Sequence, residues 1–87
     1  MNRVVDFLKG AIDIHIHVGP DYIPRYGDSV KLAAEASNHG MRAIVIKQHL
    51  ASTVASAHLA NNAVGGTMVL GGTSLNEPTG GFNPRTV

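Results

Sequence analysis

The sequence predicts an α/β fold built from one parallel βαβαβ segment. Three observations support this prediction: strand-like and helix-like segments alternate along the chain, isoleucine and valine concentrate in the strand-like segments, and alanine concentrates in the helix-like ones. Such alternation is typical of parallel strands joined by right-handed helical crossovers. We therefore expect the 87 residues to form a single β/α segment over residues 1–87.

The first predicted strand covers residues 11–17, with the sequence AIDIHIH. Isoleucine alternates there with aspartate and histidine, which is the period-two pattern of a strand with one apolar face. We expect Ile12, Ile14 and Ile16 to face the helices and the polar residues to lie on the other face. Residues 18–28 then form a loop, because two prolines, two glycines and two aspartates disfavour regular structure.

The second unit is a helix followed by a strand. Good helix formers fill residues 29–40, and either Asp28 or Ser29 can cap the start of this helix. Gly40 suits the position just after the last helical turn. The second strand covers residues 41–49, with the sequence MRAIVIKQH, and again places isoleucines towards the helices and polar groups on the other face.

The third unit repeats this order. Either Ser52 or Thr53 can cap a second alanine-rich helix over residues 53–63. A third strand is predicted over residues 65–75, with the sequence GGTMVLGGTSL, whose first two glycines end the helix. Residues 76–87 form a loop, and the Asn-Pro pair within it is placed to open another helix.

A sheet of only three strands leaves part of its surface uncovered. Parallel sheets usually have both faces covered, whereas the two predicted helices of this chain cover one. We therefore expect either that the chain is a segment of a larger α/β protein or that it forms a homo-oligomer that completes the sheet.

The composition excludes several classes of protein. The chain is 44% hydrophobic and 15% charged, with a net charge of +1, as in an ordinary folded domain. It has no apolar run near the roughly 20 residues that span a bilayer, no signal-peptide pattern and no cluster of basic residues for nucleic acid. The absence of cysteine excludes thiolate metal sites and is compatible with a reducing compartment. We expect a cytoplasmic protein that acts on a small-molecule substrate, without membrane or nucleic-acid partners.

Two histidines end the first strand with a spacing that suits a metal site. Residues two apart on a strand share a face, so His15 and His17 lie about 6.5–7 Å apart along it. Two imidazoles at that spacing can converge on one cation, with metal–nitrogen distances of about 2.0–2.1 Å. His49 ends the second strand, and the carboxyl ends of neighbouring parallel strands meet at one edge, where such sheets bind ligands. The sequence therefore predicts a divalent metal bound by these three histidines.

Other polar residues of the same region can take part in catalysis. Lys47 faces the same side as His49 and can stabilise a developing oxyanion or act as a general acid. Asp13 precedes His15 by two residues and can orient that ligand. Asp21 or Arg25 in the first loop can reach a substrate.

Structural alternatives stay open for these residues. The histidine pair can lie on an exposed antiparallel strand, and Lys47 and His49 can be solvated residues at the entry to a loop. Asp13 can be a structural hydrogen-bonding group at the floor of the sheet. His39 at a helix end and His58 in the middle of a helix fit structural roles rather than a site. Glu77, after the third strand, is a weaker candidate for a carboxylate ligand.

Several motifs together resemble the amidohydrolase superfamily of metal-dependent hydrolases. These motifs are the strand DIHIH, a loop with Gly-Pro, a helix ending in HG and a strand ending in IKQH. The closing segment LNEPTGGFNP resembles an uncharacterised branch of that superfamily, and the chain is also similar to the polymerase-and-histidinol-phosphatase family. The resemblance covers most of the chain from about residue 11 onward, and only the His-x-His strand is a specific motif.

The resemblance implies the first, incomplete part of a (β/α) barrel of the TIM type. It also implies one to three divalent metals that activate water, most often zinc, with manganese, iron or nickel as alternatives. His15 and His17 match the first metal pair of the superfamily. His49 matches the second-strand histidine of the phosphatase-type family.

The chain also departs from these families. Their later strands, which supply a lysine or glutamate, further histidines and a late aspartate, have no counterpart here. Lys47 lies on a different strand from that lysine, and Gln48 replaces the acidic residue of the phosphatase-type motif.

Three hypotheses about function follow. The first is a hydrolase in which metal-activated water attacks an amide, ester or lactone. The second is a phosphatase-type phosphoesterase. The third is a truncated, non-catalytic fragment or interaction segment, so the sequence leaves open whether this chain is itself an enzyme.

Overall fold

The computed structural model describes residues 3–87 and confirms the alternation of strands and helices. It also contains a first helix that the sequence analysis did not predict. The elements are α1 at Arg3–Leu8, β1 at Ile12–His17, α2 at Ser29–Asn38, β2 at Ala43–Lys47, α3 at Val54–Ala63, β3 at Met68–Leu70 and a short 3-10 helix at Glu77–Thr79. The third strand is therefore much shorter than the predicted range of 65–75.

The three strands form one parallel sheet in the order β1, β2, β3. Each strand thus pairs with the next strand of the chain, and a helix connects each pair. This arrangement confirms the α/β class and the βαβαβ order. Over residues 3–87 the sheet is open, and its closure into a barrel stays a prediction.

Helices α2 and α3 pack on one face of the sheet and supply alanine to the core. Ile44 and Ile46 of β2 are fully buried in this core. Small side chains allow the helices to lie close to the sheet. Gly71 has the same effect at the start of α3, because a Cβ there would lie 2.6 Å from the Cα of Val54. The buried apolar residues are Val18, Ala33, Ala36, Ile44, Ile46, Ala57, Ala60 and Val69.

The two longer helices begin in different ways. The Asp28 carboxylate accepts the backbone N–H of Lys31 at 2.9 Å and caps α2 as predicted. Thr53 precedes α3 but makes no side-chain cap. Its buried hydroxyl instead donates to the carbonyl oxygen of Ile46 at 2.7 Å and accepts the N–H of Gly72 at 2.8 Å. Thr53 therefore ties the ends of β2 and β3 together at the edge of the sheet where the histidines lie.

A β-bulge in β1 breaks the predicted alternation of that strand. Asp13 pairs with Ile44 and Ile16 pairs with Ile46, so β1 has one more residue than β2 over this stretch. An extra residue moves the following side chains to the opposite face. The expectation that all three isoleucines face the helices is therefore wrong: Ile14 is 77% exposed, and only Ile16 packs against the core.

The edge of β3 is partly satisfied by a side chain of α3. Asn61 accepts the backbone N–H of Val69 and donates to the carbonyl oxygen of the same residue, both at 2.8 Å. An amide side chain thus occupies hydrogen-bonding positions that a further strand would use. Met68 and Leu70, which flank Val69 and point to the other side of the sheet, are exposed. That face carries no covering element among residues 3–87.

The segment after β3 contains the 3-10 helix Glu77–Thr79 and a turn that begins at Asn83. The Asn83 side chain accepts the backbone N–H of Arg85 at 3.0 Å, and its carbonyl oxygen accepts the N–H of Thr86 at 2.9 Å. The helix that the Asn-Pro pair is placed to open stays a prediction beyond this turn. The longest helices of residues 3–87, α2 and α3, have 10 residues each, and neither can cross a membrane.

Candidate metal centre

Three side chains that can bind a metal meet at the carboxyl ends of β1 and β2. His17 is the last residue of β1, Asp21 lies in the loop that follows, and His49 comes two residues after β2. One ligand atom of each residue lies within 4.8 Å of those of the other two. His17, Asp21 and His49 therefore form a group that could hold a metal ion. The predicted His17 and His49 belong to it, while Asp21 was expected only to reach a substrate.

The loop after β1 folds back over the sheet and carries Asp21 to the two histidines. The N–H of Val18 donates to the carbonyl oxygen of Lys47 at 3.1 Å, which extends the β1–β2 pairing by one step. The N–H of Gly19 then donates to the carbonyl oxygen of Gly27 at 2.9 Å and closes the base of the loop. The closed loop places Asp21 beside His49, a residue 28 positions away in the sequence.

The Asp21 carboxylate is fully buried and surrounded by donors. Its Oδ1 accepts the backbone N–H of Tyr22 at 2.8 Å, and its Oδ2 accepts Nε of Arg25 at 3.0 Å. Burial alone would raise the pKa of Asp21, but hydrogen bonds from His49, the Tyr22 N–H and Arg25 outweigh burial and hold that pKa well below its usual range. Asp21 is therefore ionised at neutral pH.

His49 is held at both its side chain and its backbone. Its Nδ1 lies 3.0 Å from Oδ2 and 3.2 Å from Oδ1 of Asp21. The side chain of Asn76, which follows β3, donates to the carbonyl oxygen of His49 at 3.3 Å. The segments that follow β1 and β3 thus both contact His49.

His17 lies between the other two histidines. The ring centroids of His15 and His17 are 5.0 Å apart, and those of His17 and His49 are 5.3 Å apart. Burial lowers the pKa of His17, and the positive charges of Arg25 and Lys47 lower it further. His17 is therefore neutral at neutral pH, which is the state in which imidazole binds a metal.

Two features of His17 fit a bound cation. Its Nε2 lies 3.0 Å from Nε2 of His15. Two nitrogens bound to one metal at about 2.0–2.1 Å, at angles of roughly 90–110°, lie about 2.9–3.4 Å apart. The Nδ1 of His17 is buried and has no hydrogen-bond partner within residues 3–87. Nδ1 is thus the ring nitrogen of His17 that has no partner among the described residues, whereas Nε2 lies within hydrogen-bond distance of His15.

The two predicted catalytic residues lie in different places. Lys47 pairs with His17 in the β1–β2 register and shares its face of the sheet, where it is partly buried. Asp13 shares the opposite face with Ile16 and lines a cavity of about 210 Å³ against α2. Asp13 still contacts a predicted ligand, because its Oδ1 accepts the backbone N–H of His15 at 3.0 Å. The structure thus brings Lys47 to the histidines and leaves the Asp13 carboxylate outside their group.

Three other candidates lie apart from this group. Nδ1 of His39 lies 2.8 Å from the carbonyl oxygen of Glu35 at the end of α2. Nε2 of His58 lies 3.2 Å from the side chain of Asn62 on the exposed side of α3. Glu77 is exposed in the 3-10 helix and does not join the metal-binding group. These placements agree with structural roles for both histidines.

Asp21 was not predicted as a member of the metal-binding group. The available signal was an aspartate four residues after a His-x-His strand end, within reach of the same edge of the sheet. Its neighbour four residues on, Arg25, was a second signal, because a buried carboxylate needs a cation or several donors.

Comparison with known proteins gives one match. The sequence model of DUF6282, a family of unknown function, matches residues 10–87 of this chain. No curated protein and no solved structure matches it. The matched range contains every residue of the site described above.

Proposed function

This chain belongs to DUF6282, a family of unknown function, and we propose that it carries part of the site of a metal-dependent hydrolase. The proposed reaction is the attack of metal-activated water on an amide, ester or lactone, as in the amidohydrolase superfamily that the sequence resembles. The observation that supports this proposal most directly is the group of His17, Asp21 and His49 at the carboxyl ends of two parallel strands.

The donor atoms of the site determine which metals suit it. Imidazole nitrogen and carboxylate oxygen are ligands for zinc, manganese, iron and nickel, and the chain has no cysteine to favour softer ions. Zinc is our first choice, because it takes three protein ligands and leaves a position open in catalytic sites. When bound, a divalent cation supplies a Lewis acid for a carbonyl oxygen and brings the pKa of water towards about 7.

Lys47 is the residue that we assign to the substrate side of the site. It lies on the same face as His17, close enough that its charge lowers the pKa of that histidine. In that position its ammonium group donates to an oxyanion as negative charge develops on the substrate. Arg25 is not available for this role, because Asp21 engages its guanidinium.

Asp13 receives a positioning role in this proposal. Its carboxylate holds the backbone of His15 at the bulge of β1 and does not face the reacting groups. It therefore sets the position of one histidine rather than transferring a proton.

A phosphoesterase is the second candidate, because Lys47 borders the site. Its positive charge lies close enough to His17 to lower the pKa of that histidine. A positive charge beside a bound metal favours anionic substrates. A panel of phosphoesters, amides, esters and lactones, tested with and without added metal, separates the two reactions.

Metal binding by the purified chain is the first test of both candidates. We expect stoichiometric zinc by elemental analysis and calorimetry, and its loss in the double variant His17→Ala/His49→Ala. His58→Ala is the matched control, since His58 is an exposed histidine of α3 whose Nε2 lies beside the Asn62 side chain of the same helix, outside the metal-binding group. Equal binding by the double variant and wild type would contradict the site. Metal binding without turnover on any substrate would favour a non-catalytic segment.

A further inference from the structure

The Asp21 carboxylate is already engaged by neighbouring nitrogens. Its Oδ2 accepts Nε of Arg25 at 3.0 Å, forms an ion pair with Nη2 of Arg25 at 2.9 Å and lies 3.0 Å from Nδ1 of His49. Its Oδ1 accepts the backbone N–H of Tyr22 at 2.8 Å and lies 3.2 Å from the same Nδ1. An ionised oxygen has about two acceptor positions, so those of Oδ2 are taken, and a cation at this oxygen would have to displace one of these contacts.

The Arg25 guanidinium also opposes direct metal binding by Asp21. It approaches Oδ2 through two nitrogens, and its side chain is largely buried. A permanently charged group at that oxygen repels a divalent cation that approaches the same atom. The pair Asp21–Arg25 is therefore already neutralised within the loop.

The same contacts determine which nitrogen of His49 is free. An ionised carboxylate only accepts hydrogen bonds, so Nδ1 of His49 must carry the hydrogen that points to Asp21. In a neutral imidazole the other nitrogen, Nε2, then keeps its lone pair. His49 is partly exposed, so a cation can reach its ring from solvent.

We propose that Asp21 is a positioning residue, which fixes His49 in the Nδ1–H form so that Nε2 of His49 binds the metal, and that Arg25 holds Asp21 in place. This inference rests on the proposed metal site and assigns the ligands within it. The metal ligands are then His15, His17 and His49, the last through Nε2. Asp21 does not contact the cation and acts only through its hydrogen bond with His49. A carboxylate behind a metal-binding histidine sets the ring orientation and raises its basicity.

The tautomer of His49 is the first readout, and it needs no metal. Nitrogen NMR of the metal-free chain, at about pH 8 where imidazole is neutral, distinguishes Nδ1–H from Nε2–H. We expect the Nδ1–H form of His49 in wild type. Asp21→Ala shifts it towards the Nε2–H form that imidazole favours in water, whereas Asp21→Asn retains Nδ1–H through its amide oxygen.

Metal affinity is the second readout. Loss of a residue behind a ligand weakens metal binding by about 10–100-fold, and we expect this loss for Asp21→Ala. His49→Ala, which removes a ligand, weakens binding more than Asp21→Ala does. Arg25→Gln weakens binding in the same direction as Asp21→Ala by a smaller factor. If Asp21 is instead a ligand, Asp21→Asn and His49→Ala lose affinity to the same extent.

The visible spectrum of cobalt(II) bound in place of zinc is the third readout. Wild type and Asp21→Asn share one set of ligands in this proposal, so their spectra coincide. A changed spectrum in Asp21→Asn overturns it. Circular dichroism checks that each variant folds, and the isosteric Asp21→Asn carries the test if Asp21→Ala does not fold.

The outcomes separate this inference from the proposed function. A wild-type chain that binds no divalent metal overturns the hydrolase proposal, and the ligand assignment fails with it. A wild-type chain that binds metal but holds His49 as Nε2–H overturns only the role of Asp21.

Discussion

The Nε2 atoms of His15 and His17 lie 3.0 Å apart at the end of β1. His15 lies within the register shift of β1, and His17 follows it. The short separation matches that of two nitrogens on one cation. The group that could hold a metal consists of His17, Asp21 and His49, and His15, which is more exposed than His17, stays a predicted further ligand beside it.

The first prediction concerns His15. Replacement by alanine should weaken zinc binding at least tenfold, which corresponds to about 1.4 kcal/mol or more, because one of three imidazole ligands is lost. Calorimetric titration of the metal-free chain measures the change. His39→Ala is the control, since His39 lies at the end of α2, outside the metal-binding group, and its Nδ1 lies 2.8 Å from the carbonyl oxygen of Glu35. Unchanged affinity in His15→Ala would remove His15 from the ligand set.

The second prediction concerns pH. Burial and the charges of Arg25 and Lys47 lower the pKa of His17 from its ordinary 6.5, so the neutral form persists to lower pH than in free histidine. A lowered histidine pKa favours metal binding, because protons compete less at a given pH. We expect an NMR titration of the metal-free chain to give a His17 midpoint below 6.5. Lys47→Met should move this midpoint upward, and a wild-type midpoint above the ordinary value would contradict the charge arrangement.

The third prediction concerns Lys47 in catalysis. With any substrate that the wild type hydrolyses, Lys47→Met should lower kcat by about 10²–10³-fold, as loss of an oxyanion donor does. Zinc affinity should change little, since Lys47 is not a ligand. Comparison of kcat with zinc affinity separates the two roles. If Lys47→Met retains full kcat, Lys47 has no catalytic role and is a solvated residue at the end of β2.

The fourth prediction concerns the core. Ile44 is fully buried beneath the two alanine-rich helices, and Ile44→Ala should lower the free energy of unfolding by about 2–5 kcal/mol. Ile14→Ala is the matched control on β1, where the bulge leaves the isoleucine 77% exposed, and should change stability by about 0.5 kcal/mol or less. Urea unfolding followed by circular dichroism measures both. Equal losses would indicate that Ile14 is buried in solution.

The fifth prediction concerns the close approach of α3 to the end of β3. A Cβ at Gly71 would lie 2.6 Å from the Cα of Val54, so Gly71→Ala forces backbone atoms apart and should cost about 1–3 kcal/mol. Gly65→Ala meets no atom within 4 Å and should be neutral or slightly stabilising. Thermal unfolding of the two variants tests this contrast. A tolerated alanine at Gly71 would mean that α3 lies farther from the sheet.

Local patterns in the sequence were sufficient for the order of strands and helices. The alternation of β-branched and alanine-rich segments predicted βαβαβ, and Asp28 caps α2 as its residue type suggests. Helix α1 was not predicted, because its six residues are too few for a helical period to stand out in the sequence. The strand ends also predicted where polar residues would collect, since parallel strands place all their carboxyl ends at one edge.

The tertiary structure alone decided which of those polar residues meet. The sequence by itself determined that His17 and His49 lie close to the carboxyl ends of neighbouring strands, because the order of strands and helices follows from local segments. It did not determine that Asp13 faces the helices. One extra residue in β1 exchanges the two faces of the strand, and the alternating sequence does not show where that residue lies. Nor did it determine that Asp21 reaches His49, because the path of a loop depends on contacts between residues far apart in the chain.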